Sequence, residues 1–219
     1  MRRHDLATLR PEAPLEPVLE QPSGALQHAL AHWVSQQQPL VVTRQPAEGA
    51  HVLLAVTLCL HDQRRRYCGR VHPQDILRVT PPLSIRHCLD RLPHDQARVL
   101  EQLEVTLSTH AIRAGVYGSL SWEALSGQRY RHAHSDIDLI CDVNTPAQAV
   151  ICLEALHATA HQLSCPLDGE IRFPDQRAVA WKEWAAAQHK ASPRQVLVKG
   201  NRTVELCPVG ALWDSFAHG

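Results

Sequence analysis

Gly118-Ser119 and Asp136-Ile137-Asp138 make the most specific chemical statement in this chain. A glycine lets backbone approach an anion closely, and the serine adds a hydroxyl donor. Where such a turn opens a helix, unpaired N–H groups face the anion and the helix dipole adds positive potential. In a strand, Asp136 and Asp138 project from one face, about 6.5–7 Å apart along the chain. Two carboxylates so placed repel each other unless a cation lies between them or water screens them. Mg2+ takes oxygen ligands and commonly joins one or two carboxylates to substrate phosphates. Asp136 and Asp138 therefore read as metal ligands and catalytic residues, and Gly118 and Ser119 as phosphate contacts. Together they point to metal-dependent nucleotidyl transfer. Asp142 shares the face but lies further along, and reads as a strand-end residue.

A third carboxylate would complete a site in which metals clamp the attacking and leaving oxygens. Asp168 and Glu170, in Leu167-Asp168-Gly169-Glu170-Ile171, are the candidates. They are two residues apart and share a face. Glu170 sits deeper in the expected strand, which tilts the choice toward it, and Asp168 stays open. Lys199, at the end of Val196-Leu197-Val198, is a candidate phosphate contact. So are Arg129 and Arg131, which lie with His132 and His134 in the loop before Asp136, where a basic loop could close over a polyphosphate. One carboxylate of the cluster would take the proton of the attacking hydroxyl. Gly118-Ser119 lacks the Gly-x-Ser-x-Gly elbow of a serine hydrolase.

These residues need elements to hold them. Ile112–Tyr117 is a short apolar strand leading into the Gly-Ser turn, and Ser119–Ser126 forms a helix stopped by Gly127. Asp136–Val143 is a strand whose other face, Ile137, Leu139, Cys141 and Val143, is apolar. Thr145-Pro146 is an N-cap followed by proline at the first helical position, so a helix runs from there to His161 or Leu163. Apolar positions Ala97, Leu100, Leu103 and Leu107 set a helical period over His94–Thr109. Gly169–Phe173 is a strand, Ala180–Gln188 a helix, and Val196–Lys199 with Arg202–Cys207 a hairpin. Upstream of Pro81-Pro82, Ala25–Gln37 reads as a helix, and Leu40–Thr43 and His51–Leu58 as strands. Gln63–Tyr67 reads as a polar connection, and Val71–Val79 fits neither period. A boundary near Pro82 gives an N-terminal α/β subdomain, 1–82, and a catalytic domain, 83–219.

Composition narrows the class. The chain has 219 residues, enough for one large or two small domains. Lys plus Arg and Asp plus Glu are equal at 22 each, without the basic excess of a non-specific nucleic-acid binder. Arg64-Arg65-Arg66 suits a solvated turn, or a meeting with phosphate or an acidic protein. Seven cysteines form no Cys-x-x-Cys pair and several sit in apolar runs, as buried thiols of a reducing compartment do. Met1-Arg2-Arg3-His4-Asp5 lacks a signal-peptide core, and no apolar run reaches membrane-span length. A cytoplasmic protein without nucleic-acid or membrane partners is expected. His28/His32 and His157/His161 have helical spacing but lack the third ligand of a zinc site.

The central block resembles the nucleotidyltransferase superfamily of the DNA polymerase β type, with its Gly-Ser turn, helix, Asp-x-Asp strand and later third acid. It is more closely similar to the phosphoribosyl-dephospho-CoA transferases of malonate decarboxylase, also called holo-acyl-carrier-protein synthases. The matching stretches are Arg3-His4-Asp5-Leu6, Gly118–Gly127, Ser135–Leu139, Asp168-Gly169-Glu170, Ala178–Trp184 and Val196–Lys199. The resemblance implies an α+β fold: a mixed-sheet, polymerase β-like nucleotidyltransferase domain with a smaller N-terminal subdomain. It implies transfer of phosphoribosyl-dephospho-CoA from 2'-(5''-triphosphoribosyl)-3'-dephospho-CoA to a serine of the malonate decarboxylase acyl-carrier subunit. Diphosphate leaves, with Mg2+ (or Mn2+) at Asp136 and Asp138 and the triphosphate at Gly118 and Ser119. The N-terminal subdomain would then contact the CoA moiety or the carrier. The rivals are another polymerase β-like enzyme, such as an adenylyltransferase acting on a protein or small molecule, and a non-catalytic binding protein of this fold. The presence of both aspartates argues against the latter.

Overall fold

A computed structural model describes residues 1–18, 24–60, 63–132, 134–188 and 195–217. The chain divides into two compact units, Met1–Pro82 with Leu125–Tyr130, and Leu83–Ala124 with the chain from Arg131 onward.

The first unit is built on a six-stranded sheet. In chain order it comprises β1 (Leu6–Leu9), β2 (Glu16–Pro17), α1 (Gly24–Ser35), β3 (Leu40–Val42), β4 (Val52–Leu60), β5 (Gln63–Val71) and β6 (Ile76–Thr80). The strand order is β2-β5-β4-β3-β1-β6, with antiparallel pairing throughout. Leu54, Val56 and Leu58 alternate inward along β4, and α1 buries Leu30, Trp33 and Val34.

The segment expected as a polar connection, Gln63–Tyr67, is instead the first half of β5. It pairs with β4 from Leu60↔Gln63 to Val52↔Val71. Arg64, Arg65 and Arg66 are exposed and show no apolar alternation, so backbone pairing with β4 defines the strand there. From Tyr67 onward the alternation returns, with Tyr67, Gly69 and Val71 buried. The ambiguous stretch Val71–Val79 resolves into the end of β5, a single 3-10 turn at Pro73–Asp75, and β6.

The second unit begins with a 3-10 segment, Ile85–Arg91. It continues with α2 (His94–Thr109), β7 (Arg113–Tyr117), α3 (Gly118–Ser126), β8 (Ile137–Asp142), α4 (Pro146–Gln162), β9 (Leu167–Arg172), β10 (Ala178–Ala180), α5 (Trp181–Ala187), β11 (Gln195–Lys199), β12 (Val204–Pro208) and α6 (Val209–Asp214). The second sheet has the order β12-β11-β10-β9-β8-β7 and is mixed: the β8–β9 pair is parallel and the other pairs are antiparallel. The molecule is thus α+β.

Local signals explain these elements. The Thr145 hydroxyl accepts a hydrogen bond from the Gln148 N–H at 3.1 Å and caps α4 ahead of Pro146. Gly127 takes φ +72° just past α3 and lets the chain leave the helix. Leu100, Leu103 and Leu107 of α2 and Ala149, Cys152 and Leu156 of α4 join sheet residues such as Ile137, Leu139, Cys141 and Ile171 in one core. All seven cysteines are described and none is bridged. No described helix is long and apolar enough to cross a membrane.

Candidate active site

The face of the second sheet opposite Ile137, Leu139 and Cys141 carries the acids. Asp138 pairs with Tyr117 on β7 and, in parallel register, with Asp168 on β9, while Ile140 pairs with Glu170. Register partners project to the same side of a sheet, so Asp138, Asp168 and Glu170 share a face. Asp136 stands one residue before β8. One carboxylate oxygen each from Asp136, Asp138 and Asp168 lies within 4.8 Å of the others, a cluster able to hold a metal ion.

Antiparallel pairing of β7 with β8 brings the Gly-Ser turn to this cluster. Tyr117, the last residue of β7, lies opposite Asp138, and Gly118 follows at φ +70°. A Cβ at Gly118 would overlap the Asp138 carboxylate. That carboxylate occupies the space a side chain would need, so the chain requires glycine there both for its backbone angle and for this approach. Ser119 comes next, partly exposed, in the first turn of α3.

A second glycine spaces the acids on β9. Gly169 has φ +136°, and a Cβ there would overlap the Leu139 carbonyl oxygen. Backbone meets backbone at this point, which holds Asp168 beside Asp138. The cost of holding these acids together under cover shows in Asp138, whose carboxyl is pushed up to about 7, chiefly by burial and then by Asp136, Asp168 and Glu170.

The two candidate third acids have different surroundings. Asp168 joins the cluster and is half-exposed, with Lys182 Nζ 3.8 Å from its Oδ1. Glu170 is only 4% exposed, and Lys199 donates to its Oε1 at 3.0 Å. Lys199 therefore neutralises a buried carboxylate. Arg131 is also engaged: its Nε donates to Glu123 Oε2 at 2.8 Å, its backbone N–H to Glu123 Oε1 at 2.6 Å, and its guanidinium to the Arg91 carbonyl at 2.6 Å. These bonds anchor the loop ahead of Asp136. Ser135 adds to them, its Oγ accepting from the His132 N–H and its N–H donating to the His132 carbonyl, each at 3.0 Å. Arg129 is exposed and belongs to the segment grouped with the first unit. Asp142 lies at the other end of β8 and accepts from Arg172 Nε at 2.6 Å.

Two further charged groups, Lys182 beside Asp168 and Glu123 on Arg131, did not stand out from the sequence. Lys182 had a signal, being a basic residue that opens the helix after the strand next to β9. Glu123 had none, since a buried glutamate in a short helix is recognised only with its partner.

The family model described as the phosphoribosyl-dephospho-CoA transferase MdcG C-terminal domain matches residues 83–209, and the corresponding N-terminal domain model matches residues 2–82. A phosphoribosyl-dephospho-CoA transferase of Xanthomonas axonopodis pv. citri is 35% identical over 97% of both chains. That of Xanthomonas euvesicatoria pv. vesicatoria is 34% identical over 96% of both. That of Bradyrhizobium diazoefficiens is 26% identical over 83% of this chain and 80% of its own. No solved structure matches the chain. Two family models spanning residues 2–209, with relatives aligned over nearly their full length, show that the chain belongs to the phosphoribosyl-dephospho-CoA transferase family.

Proposed function

We propose that the chain transfers the phosphoribosyl-dephospho-CoA group from 2'-(5''-triphosphoribosyl)-3'-dephospho-CoA to a serine of the malonate decarboxylase acyl-carrier subunit, releasing diphosphate. The observation that carries this reading is the cluster of Asp136, Asp138 and Asp168 beside the Gly118 turn. Its donor set is all carboxylate oxygen, which suits Mg2+ or Mn2+. Asp136, Asp138 and Asp168 would hold the ion, and a cation among them would offset the burial and the repulsion that together raise Asp138. When bound, the ion draws negative charge from the phosphates.

The chain's own residues do the rest. The turn at Gly118 and the Ser119 hydroxyl receive the triphosphate as hydrogen-bond donors. The serine oxygen of the carrier attacks the α-phosphorus, forming the new P–O bond. The bridging bond between α- and β-phosphates breaks, and its electron pair leaves with the diphosphate. The hydroxyl proton passes to a carboxylate of the cluster. Glu170 and Lys199 form a neutral pair beside the acids and tie the end of β11 to β9 across β10.

Mass spectrometry of apo carrier subunit incubated with the chain, the donor and Mg2+ tests the reading. The expected result is a gain equal to phosphoribosyl-dephospho-CoA on the carrier serine. No gain, or an adenylate gain when ATP replaces the donor, overturns it. Asp138→Asn should lower the rate at least about 100-fold, because a neutral amide neither balances the cation nor takes a proton.

A further inference from the structure

Among the described residues, Lys182 is a second lysine beside the acids. It stands in the first turn of α5, directly after β10, and its side chain is 52% exposed. Its Nζ lies 3.8 Å from Asp168 Oδ1 and 5.7 Å from the centre of the Trp181 ring. Trp181 is 4% exposed and anchors the start of the helix in the core. Two weak contacts thus position the ammonium at the edge of the carboxylate cluster, an ion pair at long range between half-exposed groups and a cation–π contact.

Lys199 offers a contrast. Its ammonium donates at 3.0 Å to Glu170, which is 4% exposed. Moving it to a substrate would strip a buried carboxylate of that counter-charge, a large penalty. Lys182 can move without such a penalty, since water reaches Asp168 as well as the lysine. A cation held by Asp136, Asp138 and Asp168 would take over the role of neutralising Asp168. A triphosphate brings more negative charge than one divalent ion offsets, and the ammonium beside Asp168 is carried on a flexible four-carbon stem that could swing to it.

We propose that Lys182 is a substrate-binding residue that leaves Asp168 for the polyphosphate of the donor, and that it, rather than Lys199, supplies a mobile cation to the site. This rests on the metal-dependent reading above. Lys182 acts on binding: its charge meets the polyphosphate in the ground state and the transition state alike, so its loss appears in KM more than in kcat.

The test measures Mg2+ alone, and inorganic tripolyphosphate with Mg2+, by titration calorimetry on the full chain, wild type against Lys182→Ala and Lys182→Arg. Loss of one charge-assisted contact should weaken tripolyphosphate binding about tenfold or more in Lys182→Ala and raise the KM for the donor similarly. The expected change in kcat is under about threefold, with the melting temperature unmoved and arginine restoring most of the affinity. Mg2+ alone should bind Lys182→Ala at least as tightly as wild type, because a positive neighbour has been removed from the cation site. A merely structural lysine would not separate the two ligands in this way. Wild-type binding of tripolyphosphate that Lys182→Ala retains in full overturns the lysine assignment and leaves the metal site standing. Failure of wild type to bind tripolyphosphate in a Mg2+-dependent way overturns both.

Discussion

Asp138 is surrounded by groups that oppose its ionisation: burial first, then Asp136, Asp168 and Glu170. Its carboxyl rises from 3.8 to about 7, so between those values the folded chain holds a proton the unfolded chain has released. Stability falls with rising pH wherever the folded state binds more protons, and this residue's contribution therefore declines from pH 3.8 to about 7 and stays low above it. In the presence of a chelator, Asp138→Asn should be more stable than wild type at about pH 8, and the two should converge at about pH 4. Urea denaturation at both pH values measures this; a difference that grows toward acid would contradict it. The same variant should lose transfer, which separates the residue's chemical role from its structural one. The pairing of Asp136 with Asp138 was legible from their spacing. The choice between Asp168 and Glu170 was not, because alternation puts both on one face and only the register with β8 sets Asp168 beside Asp138.

Among the elements around the site, two strands and a turn depend on glycine for different reasons. Gly118 meets the end of a side chain, and Gly169 meets backbone. Gly118→Ala should leave a folded chain, somewhat destabilised by its φ of +70°, with Asp138 displaced and metal binding impaired. Gly169→Ala should cost about 3 kcal/mol or more of stability, because neither strand can yield without breaking the β8–β9 pairing. Circular dichroism melts combined with Mg2+ titration distinguish the outcomes; equal loss of stability in both would refute the distinction. The helices around the site were readable: apolar periodicity marked α2, and Thr145-Pro146 marked α4. The first half of β5 was not, because Arg64-Arg65-Arg66 lacks alternation and its strand conformation comes from pairing with β4. Arg131 was recognisable as basic and near the site, but its partner Glu123 lies across a turn whose path local signals do not set.

For the molecule as a whole, a metal ion held by the cluster of three acids would couple stability to its concentration. An ion that binds the folded state alone stabilises it by about 2.7 kcal/mol at a hundred times its dissociation constant. Added Mg2+ should therefore raise the melting temperature of wild type, and Asp136→Asn should abolish the rise. A rise of the same size in the variant would place the ion elsewhere. The order of residues was enough to define the chemical inventory: the flexible turn, the paired acids, the alternating core face of β8, and the helix starts. Each depends on contacts within a few residues, where propensity and periodicity act. Folding was needed to choose which acid completes the cluster, which lysine is committed to a buried partner, and which arginine anchors a loop. Those choices depend on strand register and on pairs such as Lys199–Glu170 and Lys182–Asp168, whose members are brought together only when β8, β9, β10 and β11 align.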